Sequence, residues 1–94
     1  MLSPACWRSE LDALSFQPPG HIGECLVHRG AWRTLLGFDP SPAQCEQWFA
    51  GHCAGVYDAA AEKIRRAMLR PEDRFHLTSR DISRALLKAT EKRG

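Results

Sequence analysis

The sequence predicts an α+β fold. The expected architecture is a small three-stranded antiparallel sheet, in the order β-β-α-α-β-α, covered on one face by a long amphipathic helix. Three observations lead there. The alternating stretch "LSFQ" runs into a proline–glycine turn and a second apolar stretch, "HIGECLVHR". Apolar residues from Cys45 to Ala67 then recur every three or four positions, the period of a helix. Finally "RFHLTS" sets Phe75 and Leu77 against His76 and Thr78, the alternation of a strand that returns the chain to a sheet.

Each element follows from local chemistry. The 94 residues suit one domain around one core, with a loose lead over about residues 1–9 and the core over about residues 11–82. "LSFQ" reads as a strand that begins near Leu11. In Pro18, Pro19 and Gly20 the prolines fix φ and the glycine permits φ > 0, so the chain turns. Ile22, Cys25, Leu26 and Val27 favour the returning strand of a hairpin. "GAWRTLLG" gives about two turns of helix, stopped by Gly37, with Trp32, Leu35 and Leu36 facing the sheet.

The long helix opens on "SPAQ". Ser41 is an N-cap, Pro42 fits the first helical position, and Gln44 completes a capping box. Its apolar stripe is Cys45, Phe49, Cys53, Val56, Ala60, Ile64 and Ala67, widened by Trp48, His52, Tyr57 and Met68. Pro71 disfavours helical geometry in the residue before it, so the helix should end near Arg70. Gly51 and Gly55 lie inside it, and each costs about 1 kcal/mol relative to alanine, which argues that a neighbour packs closely there. Thr78 or Ser79 caps a last, basic helix over about residues 79–91. Asp81 sits in its first turn, where a negative charge is favourable. Ile82, Ala85, Leu86 and Ala89 form its apolar stripe, and it should fray past Thr90.

Charge divides the chain. The first 62 residues carry three basic and seven acidic side chains, a net −4; the remaining 32 carry ten and four, a net +6. The basic half makes nucleic acid a partner to consider. Its candidate phosphate contacts are Arg65, Arg66, Arg70, Arg74, Arg80, Arg84, Lys88 and Lys92. A basic helix can follow a phosphate backbone without reading bases. Aromatic residues are sparse there, and Phe75 belongs to the core, so stacking on unpaired bases has little support. Glu72, Asp73, Asp81 and Glu91 dilute the charge, with Asp81 placed to pair with Arg80 or Arg84. A solvated polar face is the simpler reading.

The four cysteines, Cys6, Cys25, Cys45 and Cys53, form no C-x-x-C pair and match no zinc spacing. They read as free thiols acting as small apolar groups. No metal, cofactor or catalytic residue is expected, and a small thiol or redox enzyme, which would need a thiol pKa well below ~8.5, ranks third among the readings. No nucleophile sits in a recognised local context, and a unit this small should have little room for a ligand pocket of ~300 Å³ or more. No apolar run approaches the ~20 residues of a membrane span. Glu10 and Asp12 stand where a signal peptide needs an apolar core, so a cytoplasmic location is expected. Protein association is the favoured class of function. Trp7, in the loose lead, and Trp32 are the candidate contact residues, each expected to stay partly exposed. An uncovered sheet face or edge strand also leaves a homodimer open as a form of the protein.

The stretches "LSFQPPGHIGECLV" and "YDAAAEKIRRAMLRPEDRFHLTSRDI" carry a resemblance. A strand, a glycine turn, a strand centred on a cysteine, a short helix, a long helix with "AEK" and a final strand ending in aspartate follow in order. The layout resembles the small bacterial proteins grouped as domain of unknown function 1488, from roughly Leu14 to Ile82. The chain departs from that pattern in its short lead and in the helix after Asp81. The resemblance implies a compact α+β fold and a bacterial cytosolic origin. It implies no activity and no functional residues.

Overall fold

The computed structural model describes the backbone of residues 5–93 and the side chains of residues 5–88. In chain order the elements are β1 (Cys6–Arg8), β2 (Ala13–Phe16), β3 (Cys25–His28), α1 (Arg29–Leu36), α2 (Pro42–Ala67), β4 (Phe75–His76) and α3 (Ser79–Arg93). The class is α+β, as expected. The sheet differs: it has four strands, in the order β1-β2-β3-β4, and it is mixed. β1 and β3 are antiparallel to β2, while β4 is parallel to β3.

Both differences have physical causes. β1 lies within the segment expected to be loose. It is too short to show a period, and tertiary pairing makes it a strand. Trp7 sits opposite Leu14, and its backbone N–H donates to the Glu46 carboxylate of α2 at 3.3 Å. The guanidinium of Arg29 lies 5.1 Å from its ring centre, so Trp7 is half-buried rather than loose. β4 is parallel to β3 because the helices between them carry the chain back along the sheet, the usual link between parallel strands.

Leu14, Phe16, Cys25, Val27 and Phe75 share one sheet face and enter the core. α2 lies over them, with the Phe16 ring 5.0 Å from Phe49 and 5.8 Å from Tyr57. Trp32 is fully buried, which corrects the expectation of partial exposure. Its indole N–H donates to the Val27 carbonyl at 3.0 Å, and its ring meets Trp48 edge-on at 5.5 Å. A satisfied indole N–H is what allows so large a ring to be enclosed. The opposite sheet face carries Cys6, Arg8, Ser15, His28 and His76.

α2 begins as the sequence indicates. The Ser41 hydroxyl accepts from the Gln44 N–H, and the Gln44 side chain accepts from the Ser41 N–H. The helix bends at His52 (φ −131°, ψ 20°). It stops at Ala67 rather than near Arg70, because Met68 adopts a left-handed conformation, φ 55°. Met68 N–H donates to Arg65 and Leu69 N–H to Ile64, a Schellman closure in which Ile64 and Leu69 make the accompanying apolar pair. Met68 consequently points away from the stripe and is 86% exposed.

The exit from α2 docks on the hairpin loop. Ile22 N–H and Gly23 N–H both donate to the Pro71 carbonyl, at 2.8 and 3.0 Å. A Cβ on Gly23 would lie 2.1 Å from the Asp73 carbonyl oxygen, so only glycine lets the two backbones meet. From this seam β4 enters the sheet: Phe75 N–H donates to Glu24, and Leu77 N–H to Leu26.

α3 starts on a reciprocal cap, with Asp81 N–H donating to the Thr78 hydroxyl and Thr78 N–H donating to the Asp81 carboxylate. It continues past Thr90 to Arg93. It packs on α2 where Leu86 covers Gly55, whose absent Cβ would lie 2.5 Å from Leu86 Cδ2. Close packing thus holds for Gly55. Gly51 has nothing within 4 Å of where a Cβ would be and is a helix glycine without a packing role.

The two environments predict opposite outcomes in chemical denaturation. Gly23→Ala should destabilise by about 1–3 kcal/mol, because backbone cannot yield as a side chain can. Gly51→Ala should stabilise by about 0.5–1 kcal/mol, the ordinary helical preference.

Candidate functional site

The basic residues do not converge on one surface. Arg74 reaches the outer sheet face, where it binds Glu24 at 2.8 Å. Glu24 also accepts from Arg8 at 2.6 Å and from the Ser15 hydroxyl. The Ser15 hydrogen bond and then Arg8 and Arg74 hold the Glu24 carboxyl below its ordinary range, against the opposing effect of burial. Arg70 lies 3.9 Å from Glu72 in the exit loop. Arg65 and Lys88 each lie 3.3 Å from Glu62. Among the described residues, Arg80 and Arg84 alone of the candidate contacts have no ion pair. The side chain of Lys92 lies outside the described residues.

Asp81 is the centre of the α2–α3 junction. It pairs with Lys63 at 3.0 Å and Arg66 at 3.3 Å, not with Arg80 or Arg84. The expected pairing fails because α3 sits against α2, and the two α2 cations reach the carboxylate across that contact. Burial alone would raise the Asp81 carboxyl. The Thr78 N–H, Lys63 and the Thr78 hydroxyl outweigh it and hold the pKa at about 2.

A concavity lies elsewhere. An open cleft of about 460 Å³ is lined by the Pro18–His21 loop and by α2 with its exit loop. This corrects the expectation that so small a unit leaves little room for a pocket. The side-chain lining is mostly apolar: Pro18, Pro19, Tyr57, Ala61, Ile64, Leu69 and Pro71. Asp58 and Arg65 supply one charge of each sign. They are seven residues apart on α2, about 10 Å along its axis. Tyr57 is fixed from behind by Phe16 and by Phe49, the latter at 5.9 Å. His21 is 6% exposed, with Nε2 2.7 Å from the Asp73 carbonyl oxygen and its ring edge-on to Phe75. Its Nε2 is therefore committed to the seam. Ile22 and Met68, chain neighbours of the lining residues His21 and Leu69, are 69% and 86% exposed.

Nothing local in the sequence signals this cleft. Its two sides are about 40 residues apart and meet only because Gly23 admits the exit loop. The punctuating prolines Pro18, Pro19 and Pro71 are visible in the sequence, but their proximity is a tertiary fact.

The described cysteines are free. Burial pushes the Cys25 thiol far up and also raises Cys45, the reverse of what a nucleophilic thiol needs. Cys6 is exposed and Cys53 half-buried. Among the described residues no group of three or more His, Cys, Asp or Glu side chains is placed to hold a metal ion. No helix among them is long and apolar enough to cross a membrane. No family model, curated protein or solved structure matches the chain.

The Asp81 junction predicts a pH signature. An acid held at about 2 against an ordinary 3.8 stabilises the fold above the higher value, and that contribution is lost as pH falls from about 4 to about 2. Asp81→Asn should cost about 2 kcal/mol at pH 7. Urea denaturation across that range should show the gap between variant and parent closing towards pH 2.

Proposed function

We propose that the chain is a non-catalytic protein of the bacterial cytoplasm that works by binding another protein, and that the cleft beside Tyr57 and Ala61 is where it binds. Kinship with the domain of unknown function 1488 proteins is part of this reading. The observation that carries it is the open cleft itself, lined mostly by apolar side chains, Tyr57, Ile64 and Leu69 among them. Large apolar side chains at a concave site gain most from a partner that removes them from water. The chemistry on offer is contact rather than reaction. His21 is bound to a backbone carbonyl, and the lining contains no nucleophile paired with a base. Asp58, with Arg65 sharing its pair to Glu62, would orient a partner segment that places a small apolar side chain over Ala61.

A second reading has one observation in its favour. Arg80 and Arg84 have no carboxylate partner among the described residues, so α3 could approach a phosphate backbone. The ion pairs of Arg65, Arg66, Arg70, Arg74 and Lys88 count against it, since each must be broken or shared before a phosphate is bound.

Two variants separate the readings. Ala61→Arg fills the cleft, and a triple change of Arg80, Arg84 and Lys88 to Glu reverses the charge on α3. Immobilised parent protein should retain a defined set of proteins from nuclease-treated lysate. Ala61→Arg should lose that set, and the triple variant should keep it. Retention by Ala61→Arg, or loss on nuclease treatment and in the triple variant, would contradict the cleft reading.

A further inference from the structure

The outer sheet face holds a second arrangement, independent of the cleft. His28 ends β3, and His76 lies on the adjacent parallel strand β4, whose register pairs His76 with Leu26. Alternation along β3 puts the side chains of residues 26 and 28 on the same face, so His28 and His76 are diagonal neighbours. Their ring centres are 5.8 Å apart with planes at 74°. Both residues are exposed. Neither ring has a hydrogen-bond partner among the described residues, unlike His21 and His52, which are tied to the carbonyls of Asp73 and Trp48.

Two neighbouring imidazoles with uncommitted nitrogens can be turned by side-chain rotation to chelate one ion. With metal–nitrogen bonds of ~2.0–2.1 Å, two imidazoles on one ion have ring centres roughly 4.5–5.5 Å apart. The observed spacing is within a small side-chain adjustment of that range. Strand pairing fixes both backbones, so little order has to be gained on binding. The guanidiniums on the same face do not oppose a cation, because Arg8 is held by Glu10 at 2.8 Å and Arg74 by Glu24 at 2.8 Å.

We propose that His28 and His76 form a two-histidine surface site for a divalent transition-metal ion of the zinc, nickel and copper class. Imidazole donors select that class over magnesium and calcium, which favour oxygen ligands. Two protein ligands leave the remaining coordination positions to water, so the ion exchanges readily and is not required for folding. The site lies at the junction of β3 with the N-terminus of α1, and an ion there cross-links β3 to β4.

Nickel chloride titrated into the full chain by calorimetry tests this, in a Cys6→Ser background that removes the exposed thiol. The expected result is one ion per chain with micromolar affinity. His28→Gln and His76→Gln should each weaken it by about tenfold or more, while His52→Gln leaves it unchanged. Nickel should also raise the midpoint of thermal unfolding of the parent but not of His76→Gln, because a ligand that binds only the native state stabilises it. Both histidines are exposed, and circular dichroism of the variants should match the parent. Absence of saturable binding, binding that His76→Gln retains, or loss in His52→Gln would overturn the proposal.

Discussion

The Pro71 carbonyl accepts two backbone hydrogen bonds, from Ile22 and Gly23, and this small seam determines how the two halves of the chain meet. Gly23 makes it sterically available, because any Cβ there would collide with the backbone of Asp73. His21 reinforces it with a ring nitrogen 2.7 Å from the Asp73 carbonyl oxygen. The exit of α2 is thereby laid alongside the hairpin loop, and β4 has only one direction in which to join the sheet, parallel to β3. The same docking sets Leu69 and Pro71 opposite Pro18 and Pro19, which creates the cleft. It also brings His76 beside His28. One backbone contact therefore lies behind both surfaces to which a binding role is assigned.

Electrostatics is organised around the same framework. Several cations of the last third of the sequence are spread over separate places: Arg74 on the outer sheet face, Arg65 at the cleft, Arg70 in the exit loop, and Lys63, Arg66 and Lys88 at the α2–α3 junction. At the junction Lys63, Arg66 and the Thr78 N–H converge on Asp81, so a capping carboxylate also ties two helices together. A linear count of charge overstates what a ligand would meet. Arg80 and Arg84 keep their charge uncompensated by any described residue, whereas Arg74 is spent on Glu24 and Lys88 on Glu62.

Much of the fold is legible in the sequence, for local reasons. The capping box at Ser41 and Gln44, the glycine stop at Gly37, the period of α2 and the Thr78 cap are all set by residues within a turn of one another. What is not legible depends on distant residues. Cys6 to Arg8 become a strand only because Leu14 and Glu46 are there to pair with Trp7. Met68 ends α2 early because Leu69 folds back onto Ile64. Trp32 is enclosed because Val27 accepts its indole proton and Trp48 covers its ring. The cleft and the histidine pair belong to this second group, since both require segments about 40 or more residues apart to meet.

The most direct measurement is native-state hydrogen exchange at the amides of Ile22, Gly23, Phe75 and Leu77, compared with amides of β2 and β3. A seam that is integral to the sheet gives these four amides a common opening free energy, within about 1 kcal/mol of the β2–β3 amides. Fast exchange at Phe75 and Leu77, or opening of Ile22 and Gly23 separately from them, would show that β4 is a frayed edge. The seam would then organise neither the cleft nor the outer face.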